Sequence, residues 1–490
     1  MPSFNIKTVL CVIATAAILL VSLAANFETV KWANADTASS SPATWNEVFG
    51  GTGNYEVSSL VNTSDGGYAI AGNINGTATL LIKTDSKGSV QWSKTYEGLG
   101  CVHVHSMIQT SDGGYMLAGG TAANATANSN DWFCWVVKTD SSGNQDWSKT
   151  YSQPTTSEVY SVIQTSDGGY ALVGSATYGN PATYGDGTVA LLVKTDSSGT
   201  LKWNQTYSGS GWAYADSIIQ TSDGGYALAG TTNPIGKLAH DYWLVKTDAK
   251  GSMEWNKMYN DSSGAAASAI VRTSNGGYTL AGYVGSFGIT NVWVVNVNSN
   301  GNELWTATWG NPQPIEPNCL IKTNDDGYVV TGYADSLKGF NGLQSYLFIF
   351  KLASDGNVRW DNIYSITEDT NSALYAVQTK DGNYVLAGTI LSNTTGLQTI
   401  WFAKANSTGL VTAPLSNQTL TPQIAELTAV TLAQPAKSQS KGLQPWYFWA
   451  IATALAIVII LAVVRITRNK NHSSQPLLSN LKSAKLRKKN

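Results

Sequence analysis

The chain has 490 residues, of which 13% are charged and 10% aromatic, and it contains 47 glycines, 17 tryptophans and 23 tyrosines. Glycine serves tight turns and aromatic residues suit sheet surfaces, so this composition argues against a mainly helical protein and favours many short strands. The formal net charge is −2, but residues 465–490 hold eight Lys or Arg and no acid. Residues 36–445 therefore carry 20 basic and 31 acidic residues, which argues against nucleic acid as a partner.

An apolar run occupies residues 8–25 and follows a single charged residue, Lys7. It predicts a signal peptide, cleaved after Ala24 or after Ala35, or else an uncleaved anchor, since 18 apolar residues approach the length of a membrane-spanning helix. Both alternatives place the residues that follow outside the cell. We therefore assign residues 1–35 to a signal peptide or an N-terminal anchor.

The central part of the chain is internally repetitive. The sequence TSDGGY or a close variant occurs seven times, and a second block, such as KTDSSGTLKWNQTY, follows most copies about 20 residues later. Units of about 50 residues that recur in this way are typical of solenoids, propellers and similar arrays. The acid or amide of the seven copies is Asp65, Asp112, Asp167, Asp223, Asn275, Asp325 and Asp381 in turn.

Each unit is predicted to form four antiparallel strands. In the fourth unit these are residues 217–221, 226–230, 242–247 and 253–259, joined by Asp-Gly or Asp-x-x-Gly turns and by one variable loop. A β-solenoid would have shorter rungs, and immunoglobulin-type units would be roughly twice as long. The sequence therefore predicts an all-β fold, a seven-bladed β-propeller of four-stranded blades over residues 36–410.

The last unit lacks its fourth strand. Its third strand reaches Trp401, but the residues after the next turn carry no Trp, whereas Trp45 and Phe49 have the spacing of Trp92 and Tyr96 in the first unit. We expect residues 44–49 to form the outer strand of the last blade, paired with the strand around Trp401. The alternative is six closed blades and an incomplete seventh unit.

The repeat resembles those of known propeller families. The block K-T-D-x-x-G-x-x-x-W, seen from Lys194 to Trp203, is similar to the repeat of quinoprotein-like propellers. The block T-x-D-G-G-Y-x-L-A-G, seen from Thr221 to Gly230, resembles DGGY-type repeats of bacterial and archaeal surface proteins, and the closure by an N-terminal strand resembles WD-type seven-bladed propellers. The resemblance covers roughly residues 45–405 and implies a propeller at the cell surface. It transfers no cofactor residues to this chain, so no cofactor is predicted.

Residues that recur in every unit serve a need of every blade, which is folding. Asp65 and its counterparts are predicted to cap backbone N–H groups in turns, and Trp92 and its counterparts to pack between neighbouring blades. A further set is predicted to lie in the core because it occupies one position of the third strand: Trp135, Trp243, Trp293 and Trp401.

Function is predicted on the loops that do not recur. Short, uniform turns join the first strand of a unit to the second and the third to the fourth, and they share one face of the propeller, the turn face. The long, dissimilar loops share the opposite face, the loop face, where exposed aromatic side chains suit sugar rings or peptide anchors. The predicted binding residues, here named the loop-face aromatics, are Trp132, Tyr178, Tyr184, Trp212, Tyr214, Phe287 and Phe340.

Residues with catalytic or metal-binding chemistry are few. His103 and His105, with Cys101 nearby, have no further identifiable metal ligand, and His240 lacks the nucleophile that a catalytic His–Asp pair needs. No catalytic residue and no metal site is predicted. Cys101 and Cys134 either pair or are buried free thiols. The acidic residues suggestive of a glycan-cleaving site are Asp216, Glu316, Glu368 and Asp369.

The C-terminal part of the chain reads as a membrane anchor. Residues 411–445, rich in Thr, Ser, Gln, Pro and Ala, predict a flexible stalk without strands. Residues 446–464 are uncharged and long enough to span a bilayer, with aromatic residues at their outer edge and Arg465 directly after them. The positive-inside rule places the basic tail, residues 465–490, in the cytoplasm, so the predicted location is a single-pass cell-membrane protein with the propeller outside.

These features predict a surface binding, adhesion or envelope-scaffold protein rather than an enzyme, with an extracellular protein or glycan as ligand. The alternatives are an exported enzyme acting on glycans and a receptor ectodomain. Glycosylation is predicted at Asn-x-Ser/Thr sequences in the exported part. These candidates are Asn62, Asn75, Asn124, Asn204, Asn260, Asn393, Asn406 and Asn417.

Overall fold

The computed structural model of the chain describes residues 44–122, 132–151, 156–178, 187–209, 211–233, 239–260, 263–286, 289–335, 345–364, 371–391, 396–412, 416–419, 423–424 and 431–433. All of them belong to the first of two compact units, residues 1–436 and 437–490. Within these ranges, no helix has the length and apolar character needed to cross a membrane. The predicted N-terminal apolar run, the predicted membrane-spanning helix and the basic tail lie outside the described residues.

The described residues form a chain of β-strands, grouped here by blade. Blade 1 contains β2 (Tyr55–Asn62), β3 (Tyr68–Ile74), β4 (Ala78–Thr84) and β5 (Val90–Tyr96), and blade 2 contains β6 (Val102–Gln109), β7 (Tyr115–Ala122), β8 (Trp132–Thr139) and β9 (Gln145–Tyr151). Blade 3 contains β10 (Thr156–Gln164), β11 (Tyr170–Thr177), β12 (Thr188–Thr195) and β13 (Leu201–Tyr207), and blade 4 contains β14 (Ala213–Gln220), β15 (Tyr226–Thr232), β16 (Asp241–Thr247) and β17 (Met253–Tyr259). Blade 5 contains β18 (Ala265–Arg272), β19 (Tyr278–Ser286), β20 (Ile289–Val297) and β21 (Glu303–Gln313), and blade 6 contains β22 (Ile315–Lys322), β23 (Tyr328–Asp335), β24 (Ser345–Leu352) and β25 (Val358–Tyr364). Blade 7 contains β26 (Asn371–Gln378), β27 (Tyr384–Leu391), β28 (Gln398–Ala405) and β1 (Asn46–Gly50), and three short strands follow it in the chain, β29 (Ser416–Thr419), β30 (Gln423–Ile424) and β31 (Thr431–Ala433).

The predicted seven-bladed propeller of four-stranded blades is confirmed. In blades 1 to 6 the four strands are antiparallel neighbours in chain order, and in blade 7 the N-terminal β1 takes the fourth place beside β28. The first strands of successive blades, the inner strands, contact one another around a closed ring that ends with β26 against β2. The fourth unit shows how closely the boundaries were anticipated: its outer strand is the predicted 253–259, whereas its inner strand begins four residues earlier than predicted, at Ala213.

The hydrophobic core is divided among the gaps between blades. Seven clusters of buried side chains are found, and each combines residues of two neighbouring blades. The second and third strands supply most of them because these strands are covered on both faces and are buried along nearly their whole length. The four predicted core tryptophans, Trp135, Trp243, Trp293 and Trp401, are all buried.

The recurring Trp and Tyr of the outer strand hold each blade to the next, as predicted for the Trp. In blade 3, the Trp203 ring lies edge-on to Tyr226 of blade 4, with 6.1 Å between centroids, and covers Gly251 in the last turn of that blade. Gly251 has φ +79°, and a Cβ atom there would lie 2.7 Å from the Trp203 ring. The Tyr207 hydroxyl donates a 2.6 Å hydrogen bond to the Gly251 carbonyl. Glycine is required at this turn for both its backbone conformation and the close approach of the indole.

The recurring Asp of the first turn caps that turn and pairs with a buried lysine. In blade 3, Asp167 Oδ1 accepts from the Gly169 N–H at 3.1 Å, and both carboxylate oxygens accept from Lys194 Nζ at 3.0 and 2.9 Å. Lys194 also donates to the Thr195 carbonyl at 2.8 Å, so its ammonium group is satisfied although its side chain is only 7% exposed. Blade 5 replaces both partners at once, with Asn275 in the turn and Asn296 at the lysine position.

The N-terminal strand closes the ring as predicted. Strand β1 pairs antiparallel with β28, and Val48 lies opposite Trp401. Phe49 is fully buried in the cluster between blades 7 and 1, and Trp45 packs against Phe402 with 4.5 Å between ring centroids. Trp45 also covers Gly88 in the last turn of blade 1, just as Trp203 covers Gly251 in the last turn of blade 4.

Three segments of the predicted stalk pair as strands. Strands β29, β30 and β31 run parallel to the outer strands β1, β5 and β9, so blades 7, 1 and 2 each gain a fifth strand. The expectation that residues 411–445 contain no strand rested on missing hydrophobic alternation. Pairing along the open edge of a sheet uses backbone N–H and C=O groups, so it needs no such alternation.

The described cysteines are free thiols. Cys101 and Cys134 are buried and unpaired, which decides between the two alternatives left by the sequence. Burial raises the pKa of the Cys134 thiol to about 12, so this side chain is a packed neutral group.

Candidate functional site

Every inner strand contains a β-bulge in its first half. In blades 1 to 6, the residue five positions before the Thr of the TSDGGY-type turn has no partner in the second strand, whereas the residues on either side of it are paired. In blade 7 the skipped residue is Ala373, which has φ +60°. A bulge re-aims the side chain of the extra residue. The bulge residues of blades 1 to 6 are Ser58, His105, Tyr160, Asp216, Ser268 and Asn318.

These bulge residues line a cavity on the propeller axis, here named the axial cavity. Its volume is about 430 Å³, and all seven inner strands contribute to its wall. The backbone irregularity recurs from blade to blade, but the side chain that it presents differs in most blades. Because the bulge recurs in every blade, it serves folding. The side chains at the bulge differ between blades, so they are candidates for function.

The wall of the axial cavity is polar and acidic. Its described lining contains Asp216 and Glu316 but neither Lys nor Arg, and serines from five inner strands add hydroxyl groups. Three tyrosines face the same space, here named the cavity tyrosines: Tyr160, Tyr283 and Tyr375. Burial raises the pKa of all three phenols, so they are neutral hydroxyl groups at physiological pH.

Asp216 is a half-buried acidic residue of the cavity wall. None of the described residues donates a hydrogen bond to its carboxylate, and burial alone raises its pKa well above the ordinary value. The charge of Asp216 in turn contributes to the raised pKa of Tyr160 and of Tyr283. These two tyrosines therefore flank the carboxylate from blades 3 and 5.

A His–Glu pair lies beside Tyr160. His105 Nε2 is 2.7 Å from Glu158 Oε1, and the His105 ring lies edge-on to the Tyr160 ring at 5.3 Å between centroids. Glu158 reaches this position because the second strand of blade 2 has Gly120 beneath it. A Cβ atom at Gly120 would come within 2.9 Å of Glu158 Oε1.

Trp132 stands next to this pair on the loop face. Its ring lies against His103, with 5.0 Å between centroids and 31° between planes. The Trp132 N–H donates to Thr156 Oγ1 at 3.1 Å, which ties the start of β8 to the start of the next inner strand. Trp132, His103, His105 and Glu158 therefore form a continuous cluster between blades 2 and 3.

Trp212 and Tyr214 form a second aromatic group on the loop face, in blade 4. Their rings are stacked, with 5.4 Å between centroids and 4° between planes. Trp212 also packs against His240, at 4.8 Å between centroids. Tyr214 lies two residues before Asp216 in β14, so this pair stands at the loop-face end of the strand that carries Asp216.

The predicted site residues thus separate into three groups. On the loop face, the structure brings Trp212 and Tyr214 together in one stacked pair and places Trp132 against His103. Tyr178, directly after β11, is 39% exposed and is not part of these contacts. Tyr184, Phe287 and Phe340 lie outside the described residues. Of the four suggestive carboxylates, two line the axial cavity and two, Glu368 and Asp369, lie outside the described residues.

The glycosylation candidates differ in how their amides are used. Asn406 occupies the position of Asp85 in the last turn of its blade, and its Oδ1 accepts from the Thr408 and Leu410 N–H groups at 2.9 Å each. The Asn62 amide donates to the Gln378 carbonyl, and Asn75, with φ +53°, accepts from the Asn54 N–H. Asn260 is exposed and Asn204 half-buried. Asn417 lies in β29, and Asn124 and Asn393 lie outside the described residues.

Sequence reasoning placed function on the loops and missed the axial cavity. The signal was present five residues before the Thr of each TSDGGY-type turn, where Ser58, His105, Tyr160 and Asp216 interrupt an otherwise repetitive strand. In a regular strand, the side chain at that position would point to the sheet face opposite to the side chains of its two neighbours. The bulge that turns it toward the axis is a property of the pairing and becomes visible in the structure alone.

No protein-family model matches the chain, and neither does any curated protein. Solved structures similar to it include the polysaccharide lyase Uly1, at 11% identity over 78% of this chain and 93% of that chain, with a TM-score of 0.43. Sqt1 from Chaetomium thermophilum matches at 13% identity over 76% of this chain and 88% of that chain, with a TM-score of 0.40. A protein of unknown function from Bacteroides caccae matches at 11% identity over 52% of this chain and 82% of that chain, with a TM-score of 0.33. Similarity at this level says nothing about what this chain binds.

Proposed function

We propose that this chain is a membrane-anchored surface protein whose propeller binds a glycan outside the cell through the loop face. The observation that carries this proposal is the presence on the loop face of two aromatic groups: Trp212 stacked on Tyr214, and Trp132 packed against His103 beside the His105–Glu158 pair. Flat aromatic rings stack on the apolar faces of sugars, while neighbouring polar groups bind their hydroxyls. None of these six residues belongs to the recurring pattern that builds the blades, so folding does not account for them.

The contacts within each group support a preformed platform. The Trp212 ring packs against Tyr214 and His240, and the Trp132 ring packs against His103, while the backbone N–H of Trp132 donates to Thr156 Oγ1. Side chains that are fixed before binding lose little conformational entropy when the ligand arrives. Ring positions set by packing favour a binding surface over residues that merely cover a blade end.

We expect the double variant Trp212→Ala/Tyr214→Ala to weaken glycan binding at least about tenfold, since a stacked aromatic pair at the centre of a site supplies one to a few kcal/mol. The full-length protein in detergent, applied to a glycan array, identifies the ligand, and titration of that ligand gives the affinity. Met258→Ala, a change at a 49%-exposed side chain on the outer strand of the same blade, is the control. Equal affinities for the double variant and the control would contradict the proposal.

Incubation of the protein with the glycan that it binds also tests the enzymatic alternative. Asp216 and Glu316 share one cavity, and two carboxyl groups facing a sugar is the arrangement that glycosidases use. New reducing ends or unsaturated sugars released from the bound glycan would replace the binding proposal by a glycan-cleaving one. Retention of intact glycan by the wild-type protein supports binding alone.

We also propose single-pass anchoring through residues 446–464, on the strength of the uncharged run and the arginine that follows it. Protease added to intact cells is expected to remove the propeller and to leave the basic tail detectable by an antibody raised against residues 465–490. Permeabilised cells, in which the tail is also degraded, serve as the control. A propeller that resists protease until the cells are permeabilised would overturn this topology.

A further inference from the structure

Apart from His105, the residues that line the axial cavity are not part of the proposed loop-face site. Around the ring, blades 3, 5 and 7 present the cavity tyrosines, and the blades between them present Asp216 and Glu316. Five neighbouring blades thus alternate an aromatic ring with a carboxyl group. The remaining two blades contribute serines and His105.

Asp216 decides which class of ligand fits this wall. The Asp216 side chain is half-buried at the cavity wall, none of the described residues donates a hydrogen bond to it, and desolvation disfavours its charged form. No Lys or Arg is found in the described lining to balance its charge. A positive charge that enters the cavity would favour the ionised form of Asp216, which none of the described lining residues does.

Three classes of ligand fit poorly. Anions would find no Lys or Arg in the described lining to pair with. A tightly held metal ion would need several strong ligands, but the described residues contain no group of three His, Cys, Asp or Glu side chains that could hold one. A neutral polyol would fill the space but would supply no charge to pair with the ionised form of Asp216.

An organic cation satisfies both features of the wall. Tyrosine rings attract ammonium groups through the negative faces of their π systems, and a carboxylate supplies the opposite charge. The cavity, about 430 Å³, lies within the size range of small-molecule sites. We infer that the axial cavity binds the ammonium group of a small organic cation, with Asp216 as its counter-ion and the cavity tyrosines around it. This inference concerns a second site and goes beyond the proposed glycan-binding function.

Choline and 3,3-dimethyl-1-butanol test the inference, because the two molecules have nearly the same shape and only choline is charged. Calorimetric titration of the full-length protein in detergent is expected to show choline binding at least about tenfold tighter than the neutral alcohol. Asp216→Asn, which keeps the shape of the side chain, is expected to remove that difference. Equal binding of the two probes, unchanged choline affinity in the Asp216→Asn protein, or no binding of choline to the wild type would each overturn the inference.

Two further variants separate this site from the glycan site and from a loss of folding. Trp212→Ala/Tyr214→Ala is expected to leave choline affinity unchanged, and Asp216→Asn to leave glycan affinity unchanged. Tyr283→Leu is expected to weaken choline and to have little effect on the neutral alcohol. Thermal melting of each variant shows whether it is folded, and a folded Tyr283→Leu protein with wild-type choline affinity would contradict the role of the tyrosines.

The pH dependence of choline binding provides an independent readout. The groups that line the cavity with Asp216 are His105, Glu316, Cys319 and the cavity tyrosines, and choline itself does not titrate. Because a bound cation favours the ionised carboxylate, affinity is expected to rise as pH rises through the raised pKa of Asp216. Protonation of His105 would weaken binding in the same direction, so His105→Gln is the comparison. An affinity rise that persists in Asp216→Asn and disappears in His105→Gln would assign the effect to the histidine and count against the inference.

Discussion

A chain that begins at Gly51 is expected to be insoluble or to melt at least about 10 °C below one that begins at Asp36, because the shorter chain lacks strand β1. Its loss would expose the edge of β28 and remove the fully buried Phe49 from the cluster between blades 7 and 1. It would also remove Trp45 from its contacts with Phe402 and Gly88. Deleting one buried aromatic side chain costs about 3–5 kcal/mol, and here Phe49 is lost together with the half-buried Trp45 and a strand of hydrogen bonds. Circular dichroism melting curves of the two chains provide the measurement.

Point variants of the full-length protein separate the contribution of strand β1 and its pairing with β28 from the effect of shortening the chain. Phe49→Ala is expected to lower the free energy of unfolding by about 3–5 kcal/mol, since the side chain is fully buried. Thr52→Ala, at an exposed position just after β1, is the matched control and is expected to change the free energy of unfolding by less than about 0.5 kcal/mol. Similar melting of all these proteins would mean that six blades close without the N-terminal strand.

The second large effect is expected at the ion pair between Asp167 and Lys194. Asp167→Asn leaves the nearly buried ammonium group of Lys194 without its carboxylate and is expected to lower the free energy of unfolding by about 2 kcal/mol. The expected loss lies below that for a fully buried pair because the Asp167 side chain is 63% exposed. Chemical denaturation at neutral pH measures it.

Blade 5 provides the natural control for this variant, because both partners are asparagines there. The Asn296 amide donates to Thr279 Oγ1 at 2.7 Å and to the Tyr328 hydroxyl at 3.3 Å, so the position is satisfied without a charge. The double variant Asp167→Asn/Lys194→Asn copies this arrangement and is expected to recover most of the lost stability. A double variant as unstable as the sum of the two single variants would show that the two residues act independently.

The same carboxylate predicts a dependence on acid. Burial raises the pKa of Asp167. Hydrogen bonds from Thr165, Lys194 and Gly169 and the charge of Lys194 outweigh this effect and lower the pKa to about 2. A folded-state pKa below the unfolded value contributes stability that is present above about pH 4 and lost as pH falls toward 2. Five other blades show the same lowering at their turn aspartate, so the acid loss is expected to be steep.

The sequence alone was sufficient for the architecture because the blade is encoded seven times. The positions of Asp65, Gly88 and Trp92 recur wherever a turn must be capped, a glycine must bend the chain or an indole must cover the next blade. Counting the outer-strand tryptophans even located the closing strand, since one outer strand was missing at the end of the repeats and one was left over at the beginning. The strands of the tail were missed because they add to open sheet edges through backbone groups, which leave no pattern of side chains.

The tertiary structure alone decided where the non-recurring residues meet. His105, Tyr160 and Asp216 lie in three different units and look like irregularities of their strands, but a bulge in each inner strand turns them toward one axis. Ring closure then brings them into a single cavity with Tyr283 and Tyr375 from distant parts of the chain. Local sequence determines which strands form because turns and alternation act over a few residues. Which side chains share a cavity depends on strand register and on the angle between blades, and those are set by the packing of the whole ring.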